Sequence, residues 1–501
     1  MRLLSLIEGT EYQILHGSLE VEVCGIRYDS RQIEPGDLFV CIRGFALDGH
    51  DFLQTAWAAG AVAALVERSD LPESALHGGT VVKLGDTRKG LALAACRFHD
   101  HPSRKLTLVG VTGTNGKTTT TYLIESVLRR AGHQVGLIGT IVYRCGGTEI
   151  DAVRTTPEAS DLQILLERMV RLGTDSVVME VSSHALALHR VDGCEFDVAV
   201  FTNLTQDHLD FHGTMEAYRR TKLSLFEGLN AETTKLTDKA AVINLDDPAA
   251  DLFLGAARVR SYTYSLEQPA DLMATDIRIG IDGVWCRLKT PWGATAVRSR
   301  LLGRYNLSNI LAAAATGLHL GTKLSEVADA ISELRDVPGR CERVEEGQEF
   351  GVMVDYAHTP DALQRVLRMA RECCPGRLIV LFGCGGDRDR GKRPLMGEAA
   401  LRLADFTVIT SDNPRSEDPH RIIQEIEDGA KKVWGQGKGY VIILDRAMAI
   451  REALSLAQRG DVVVIAGKGH ETYQILSDRT IPFDDRQVAR EALHELGFGR
   501  G

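Results

Sequence analysis

The sequence predicts an α/β protein with mainly parallel sheets covered by helices. Apolar strands alternate with helical segments from residue 106 to about 336 (LTLVGVT, HQVGLIGT, SVVMEVS, DVAVFTN, AVINL). The alternation then restarts after Val337 (GVMVDY, RLIVLFG, FTVITSD, GYVIIL, DVVVIAG), which is the pattern of parallel sheets with helical crossovers. The third observation is length: 501 residues exceed one compact core and suggest about three domains.

Each segment supports a part of that plan. Residues 1–103 hold short strands (VEVCGIRYDS, DLFVCIRG, AVAALVE) and a helix around 52–59, a small α/β domain. Residues 104–336 form a central domain, with a strand-rich insert at about 261–301 before a helix opening near Asn306. Pro338 and Gly339 break the helical pattern within VPGRCERVEE, so a linker opens the third domain, 337–501. Its alternation is of the doubly wound, Rossmann-like type.

Composition excludes several function classes. The formal net charge of -10 gives no general attraction to nucleic acid or anionic membrane. The ten cysteines are scattered without a CxxC pair, so they read as small core residues in a reducing cytoplasm. The start, MRLLSLIEGTEYQ, meets Glu8 too early for a signal peptide. Apolar runs such as 56–66 are too short to span a bilayer. The expectation is a cytoplasmic protein without membrane insertion.

The strongest local signal is LTLVGVTGTNGKTTTTYLIESVLRRAG. A buried strand runs into Gly113, Thr114, Asn115, Gly116, Lys117, Thr118 and Thr119, and a helix follows. Glycines let backbone N–H groups curl around phosphate oxygens at a helix N-terminus. Lys117 would reach the terminal phosphates and Thr118 would offer its hydroxyl to magnesium. Val111 stands where a strict phosphate-loop motif has its first glycine. The loop alone fits a kinase, a ligase or a nucleotide switch.

Two further stretches suggest metal chemistry. SVVMEVSSHAL ends a strand at Glu180, where a carboxylate beside a phosphate loop could hold magnesium. LTQDHLDFHG packs Asp207, His208, Asp210 and His212 into six residues after the next strand. Lys222 follows on a helix with apolar Tyr218, Leu223, Leu225 and Phe226, and could either snorkel outward or point into the site.

Taken together, GTNGKTTT, MEVSSHAL, TNLTQDHLDFHGT, YRRTKLSLF, GRYNLSNILAA and VPGRCERV resemble the Mur ligase family of peptidoglycan synthesis, in order and spacing over essentially the whole chain. The resemblance implies a uridine-nucleotide domain, a central ATPase domain and a domain for the incoming amino acid. It implies that Lys117, Thr118, Glu180 and His208 serve ATP and two magnesium ions. It also implies a carbamylated Lys222 as a catalytic metal ligand, and nucleotide contacts at Asn306, Asn309, Arg340 and Asp355. Tyr28, Asp29 and Ser30 resemble uridine contacts. Thr155, Thr156, Ser182 and Arg190 resemble contacts to a UDP-N-acetylmuramoyl-dipeptide. Arg154 and Leu188 depart from relatives that carry asparagine and glutamine there.

Polar clusters end three strands of the last domain: GGDRDRGKR, SDNPRSEDP and GKGHET. The resemblance implies that Arg388, Asp412, Asn413, Pro414, Arg415, Gly467 and Glu471 receive meso-diaminopimelate, whose second carboxylate suits the Arg415 fork. The implied activity is an ATP-dependent carbon–nitrogen ligase, expected to be monomeric. The alternatives are a lysine-adding homologue, a folylpolyglutamate synthetase-like ligase and a nucleotide switch protein.

Overall fold

The computed structural model describes residues 1–44, 47–233, 235–433, 435 and 439–499. The chain divides into two compact units, residues 1–273 with 311–327 and residues 274–310 with 328–501. Among the described residues no helix is long and apolar enough to cross a membrane.

The first unit contains two sheets. The N-terminal one orders its strands Tyr12–His16, Thr80–Leu84, Ala63–Val66, Asp37–Val40 and Gly25–Arg27. Only the Tyr12–His16 edge pairs antiparallel. Helix Thr87–Phe98 covers this sheet through Leu91, Ala92, Ala94 and Ala95. The longer sheet places Thr107–Thr112 between Ser176–Glu180 and Val198–Phe201, both parallel to it. Val135–Ile138, Ala240–Asn244 and Arg260–Ser265 extend it in parallel. These strands are apolar because both faces are covered, as parallel sheets require. A hairpin, Val142–Cys145 with Thr148–Asp151, closes one edge antiparallel.

The second unit is built on a sheet ordered Glu342–Arg343, Gly351–Asp355, Val462–Ala466, Leu378–Phe382, Phe406–Ile409 and Gly439–Ile442. All pairings but the first are parallel. Helices Pro360–Glu372, Lys392–Leu403 and Pro419–Lys431 bury one face. Arg446–Ser455 and Asp485–Glu495 bury the other. The strand order brings the loops after Val462–Ala466, Leu378–Phe382 and Phe406–Ile409 side by side, the crevice where doubly wound sheets bind ligands.

Candidate active site

The phosphate loop lies between strand Thr107–Thr112 and helix Lys117–Arg130. Gly113 has φ +148° and Gly116, the helix N-cap, has φ +84°. Both values favour glycine, and a Cβ at Gly113 would overlap the Thr202 hydroxyl. The loop is tied to the segment after Val198–Phe201. Thr114 N–H donates to the Asn203 carbonyl at 2.8 Å and Asn115 N–H to Asn203 Oδ1 at 2.9 Å. The Thr202 hydroxyl donates to the Asn115 carbonyl at 2.6 Å. Lys117 Nζ donates to the carbonyls of Gly113 and Thr114 at 3.1 and 2.9 Å. Thr118 and Thr119 are buried in the first helical turn.

Glu180 stands opposite Val111 in the strand register, which sets it beside the loop. It is 1% exposed, and its carboxylate accepts from Thr140 N–H at 2.8 Å and the Thr140 hydroxyl at 3.2 Å. Among the described residues no cation lies within ion-pair distance of it. A buried carboxylate held only by neutral donors is costly unless a positive ligand joins it. Magnesium is typically bound by one or two carboxylates plus substrate phosphates, and Glu180 fits that donor set. Among the described residues no three His, Cys, Asp or Glu side chains group to form a closed protein cage for a metal.

Lys222 points inward. It is 1% exposed, its Nζ donates to the Gly113 carbonyl at 2.8 Å and lies 4.6 Å from the Tyr218 ring centre. Burial, with the like charge of Lys117, pushes its pKa well below the usual lysine value. His208 sits at φ +53°, strained for a residue with a side chain, and its ring packs edge-on against His184 at 4.8 Å. Burial holds both imidazoles toward the neutral form, His184 down to about 4.

The dipeptide candidates gather around the same strand end. The Thr156 hydroxyl donates to the Glu180 backbone carbonyl at 2.9 Å and accepts from Ser182 N–H at 3.3 Å. Thr155 and Thr140 share a hydroxyl contact of 3.1 Å. Arg190 donates to the Thr156 carbonyl at 3.3 Å and pairs with Glu158 at 2.8 Å. Arg154 and Arg88 lie 3.3 and 3.6 Å from the same carboxylate. Three guanidinium groups thus surround the Glu158 carboxylate. Sequence reading missed Thr140, Glu158 and Arg88, which carry no motif of their own.

Tyr28 donates to Asp161 at 2.8 Å, and burial beside that carboxylate raises the phenol pKa well above its ordinary value. Tyr28 lines a cleft of about 420 Å³ with Ile26, Arg27, Gln32, Ser160 and Asp161. Asp29 is taken up by Arg31, which donates N–H and guanidinium hydrogens to its carboxylate at 2.7–3.0 Å. Ser30 opens the short helix that Asp29 caps.

In the second unit, Asn309 Nδ2 donates to Asn306 Oδ1 at 2.9 Å, and both are buried. Asp355 accepts from Cys341 N–H and Ala357 N–H, each at 2.8 Å, and burial raises its pKa. The Arg340 guanidinium lies 5.0 Å over the Tyr356 ring. The strand-end crevice collects Asp412, Asn413, Pro414, Arg415, Gly467 and Glu471. Asn413 Nδ2 donates to Glu471 Oε2 at 2.9 Å. Gly467 has φ +118°, and a Cβ there would come within 2.7 Å of Asp412 Oδ2. Arg415, at φ +52°, donates from Nη1 to the Gly386 carbonyl at 2.8 Å. Arg388 is exposed on the neighbouring loop and donates to the Asp387 carbonyl at 2.9 Å.

The chain matches three domain models in order: "Mur ligase family, catalytic domain" over residues 22–99, "Mur ligase middle domain" over 111–317 and "Mur ligase, glutamate ligase domain" over 339–469. It is 48% identical to the UDP-N-acetylmuramoyl-L-alanyl-D-glutamate–2,6-diaminopimelate ligase of Geobacillus thermodenitrificans, covering 99% of this chain and 100% of the relative. The ligase of the same name from Clostridium tetani is 43% identical over 99% of this chain and 100% of its own. A solved structure of a ligase of that name superposes with a TM-score of 0.70 at 34% identity, covering 99% of each chain. Likeness that runs from end to end at this level leaves one conclusion: the chain belongs to the Mur ligase family.

Proposed function

We propose that this protein is the cytoplasmic ATP-dependent ligase that joins meso-diaminopimelate to UDP-N-acetylmuramoyl-L-alanyl-D-glutamate in peptidoglycan precursor synthesis. Relatives of that name, similar over the full length, support the reading. The observation that carries it is the shared strand end of Glu180. The lysine-bearing loop lies on one side, through the Val111 register. The Thr156–Ser182–Arg190 cluster lies on the other, through the Glu180 carbonyl. A phosphate donor and a carboxylate acceptor are thereby served from adjacent backbone.

The reaction takes two steps. A D-glutamyl side-chain carboxylate oxygen attacks the γ-phosphorus of ATP, the β–γ bridging bond breaks, and ADP leaves. The amine of the incoming amino acid then attacks the acyl carbon, loses a proton, and expels phosphate. Attack of one anion on another needs charge neutralisation and alignment. Lys117 and the first N–H groups of its helix meet the phosphoryl oxygens, and Arg190 with Arg154 holds the dipeptide. Magnesium, for which Thr118, Glu180, His208 and a carbamylated Lys222 are the candidate ligands, supplies further neutralisation when bound. The low Lys222 pKa supports carbamylation, because only a neutral amine attacks carbon dioxide. In the second unit, Arg415 and Arg388 suit a carboxylate, Asp412 and Glu471 suit an ammonium group, and Asn413 holds Glu471 beside them through its Nδ2 donor. Asn306, Asn309, Arg340 and Asp355 are assigned to the nucleotide on resemblance. A division into domains at 1–103, 104–336 and 337–501 is part of the same proposal.

Phosphate release from ATP tests the proposal, with the UDP-dipeptide present and the amino acid varied. Release should need both the dipeptide and meso-diaminopimelate, and the product should be the UDP-tripeptide. Equal use of lysine would remove the amino-acid assignment, and release without dipeptide would remove the ligase assignment.

A further inference from the structure

Strand Val462–Ala466 ends in Gly467, Lys468 and Gly469, with both glycines at positive φ. This turn sends the Lys468 side chain back into the second unit, where it is 0% exposed. A buried ammonium is costly unless its hydrogens are matched by acceptors. Lys468 Nζ donates to Asn413 Oδ1 at 3.0 Å and pairs with Glu471 Oε2 at 3.0 Å. It also lies 5.6 Å from the Tyr473 ring centre.

The consequence lies in the hydrogen-bond count. Asn413 Oδ1 accepts from Lys468 and from Ile475 N–H, also at 3.0 Å. An amide oxygen has two lone pairs, and both are used. Flipping the amide would turn its NH2 group against an ammonium and an N–H. The side chain is therefore fixed with Nδ2 toward Glu471 Oε2, at 2.9 Å. That oxygen takes donors from Asn413 and Lys468 together, which holds the carboxylate in place and directs further hydrogen bonding to Oε1.

We propose that Lys468 is a positioning residue for amino-acid specificity: it locks Asn413 and Glu471 so that the carboxylate presents one oxygen to the substrate's distal ammonium group. The inference rests on the reading that Asn413 and Glu471 receive meso-diaminopimelate.

The experiment is steady-state kinetics of the full-length enzyme with Lys468→Met, Glu471→Gln and the double variant, varying each substrate in turn. Lys468→Met keeps an unbranched apolar stem but removes the ammonium. It should raise KM for meso-diaminopimelate about tenfold or more, the loss expected when an orienting charged hydrogen bond goes. KM for ATP and for the UDP-dipeptide should stay within about twofold. The double variant should be no worse than Glu471→Gln alone, because the two groups act as one unit. An unchanged KM for meso-diaminopimelate in Lys468→Met, or losses that multiply in the double variant, would overturn the proposal. If Glu471→Gln itself leaves that KM unchanged, the underlying reading of the pocket fails instead. Should Lys468→Met not fold, Lys468→Gln retains a donor to Asn413 and should show the same selective rise, smaller in size. If neither variant folds, the lysine serves the fold and the proposal is wrong.

Discussion

The Lys117 ammonium rests on the Gly113 and Thr114 carbonyls, at the first turn of a helix whose free N–H groups carry partial positive charge. The same Gly113 carbonyl also accepts from Lys222, so two amine side chains converge on the loop. Lys117→Ala should lower kcat by two or more orders of magnitude, since a lost clamp on transition-state charge is worth about 3 kcal/mol or more. Calorimetric affinity for the UDP-dipeptide should change little. Near-normal phosphate release by this variant would remove Lys117 from the chemistry. Arg415 is the second residue whose chemistry gives a direct test. Its planar fork suits a carboxylate, and lysine would leave that fork without one. Discrimination of this kind is worth about a hundredfold or more in kcat/KM. Arg415→Ala should lose most meso-diaminopimelate activity and narrow the advantage over lysine, measured by competing the two amino acids in one reaction.

At the scale of elements, helix Met215–Gly228 shows what a sequence can and cannot reveal. Tyr218, Lys222, Leu225 and Phe226 share its buried face at helical spacing. The pattern alone left Lys222 free to snorkel or turn inward. What decides it is a carbonyl 109 residues away, at Gly113, and no periodicity encodes that. If Lys222 acts as a carbamate, Lys222→Ala should lose activity, and small carboxylates should restore part of it. Labelling with carbon-13 bicarbonate should give a carbamate NMR signal in the parent enzyme and none in the variant. Full activity of Lys222→Ala in bicarbonate-free buffer would exclude the role. The parallel strands were legible because both faces are buried, which leaves uninterrupted apolar runs. Hairpin Val142–Cys145 with Thr148–Asp151 was not, because its second strand is largely exposed and polar. Candidate site residues inside motifs, such as Glu180 and Asn413, could be named from the sequence, because a strand end marks their place. Thr140 and Lys468 could not be, because each has a decisive partner distant in sequence, at 40 and 55 residues.

At the scale of the whole molecule, each unit carries a histidine that the fold keeps neutral. His184 in the first unit and His470 in the second are both pushed from the ordinary 6.5 down to about 4, chiefly by burial. Neighbouring charges, His208 in its protonated form for one and Arg340 for the other, add to the shift. Between pH 6.5 and 4 the unfolded chain binds these protons and the folded chain does not. Stability from this source is therefore complete above the unfolded value and is lost as pH falls through the window. Each shift corresponds to at most about 3 kcal/mol, before solvent screening reduces it. Asp161 and Asp355, raised by burial, act in the opposite sense just above their ordinary values. Glu417, held at about 2 by Arg393 and Arg390, adds to the loss only below the ordinary carboxylate range. Because the two histidines lie in different units, acid should weaken both units over one pH range. The urea midpoint of the ligand-free protein should fall steadily from pH 7.5 to 4.5, by fluorescence and by circular dichroism alike. His470→Gln, which cannot take up the proton, should flatten that slope, and a wild-type midpoint constant down to pH 5 would refute the account.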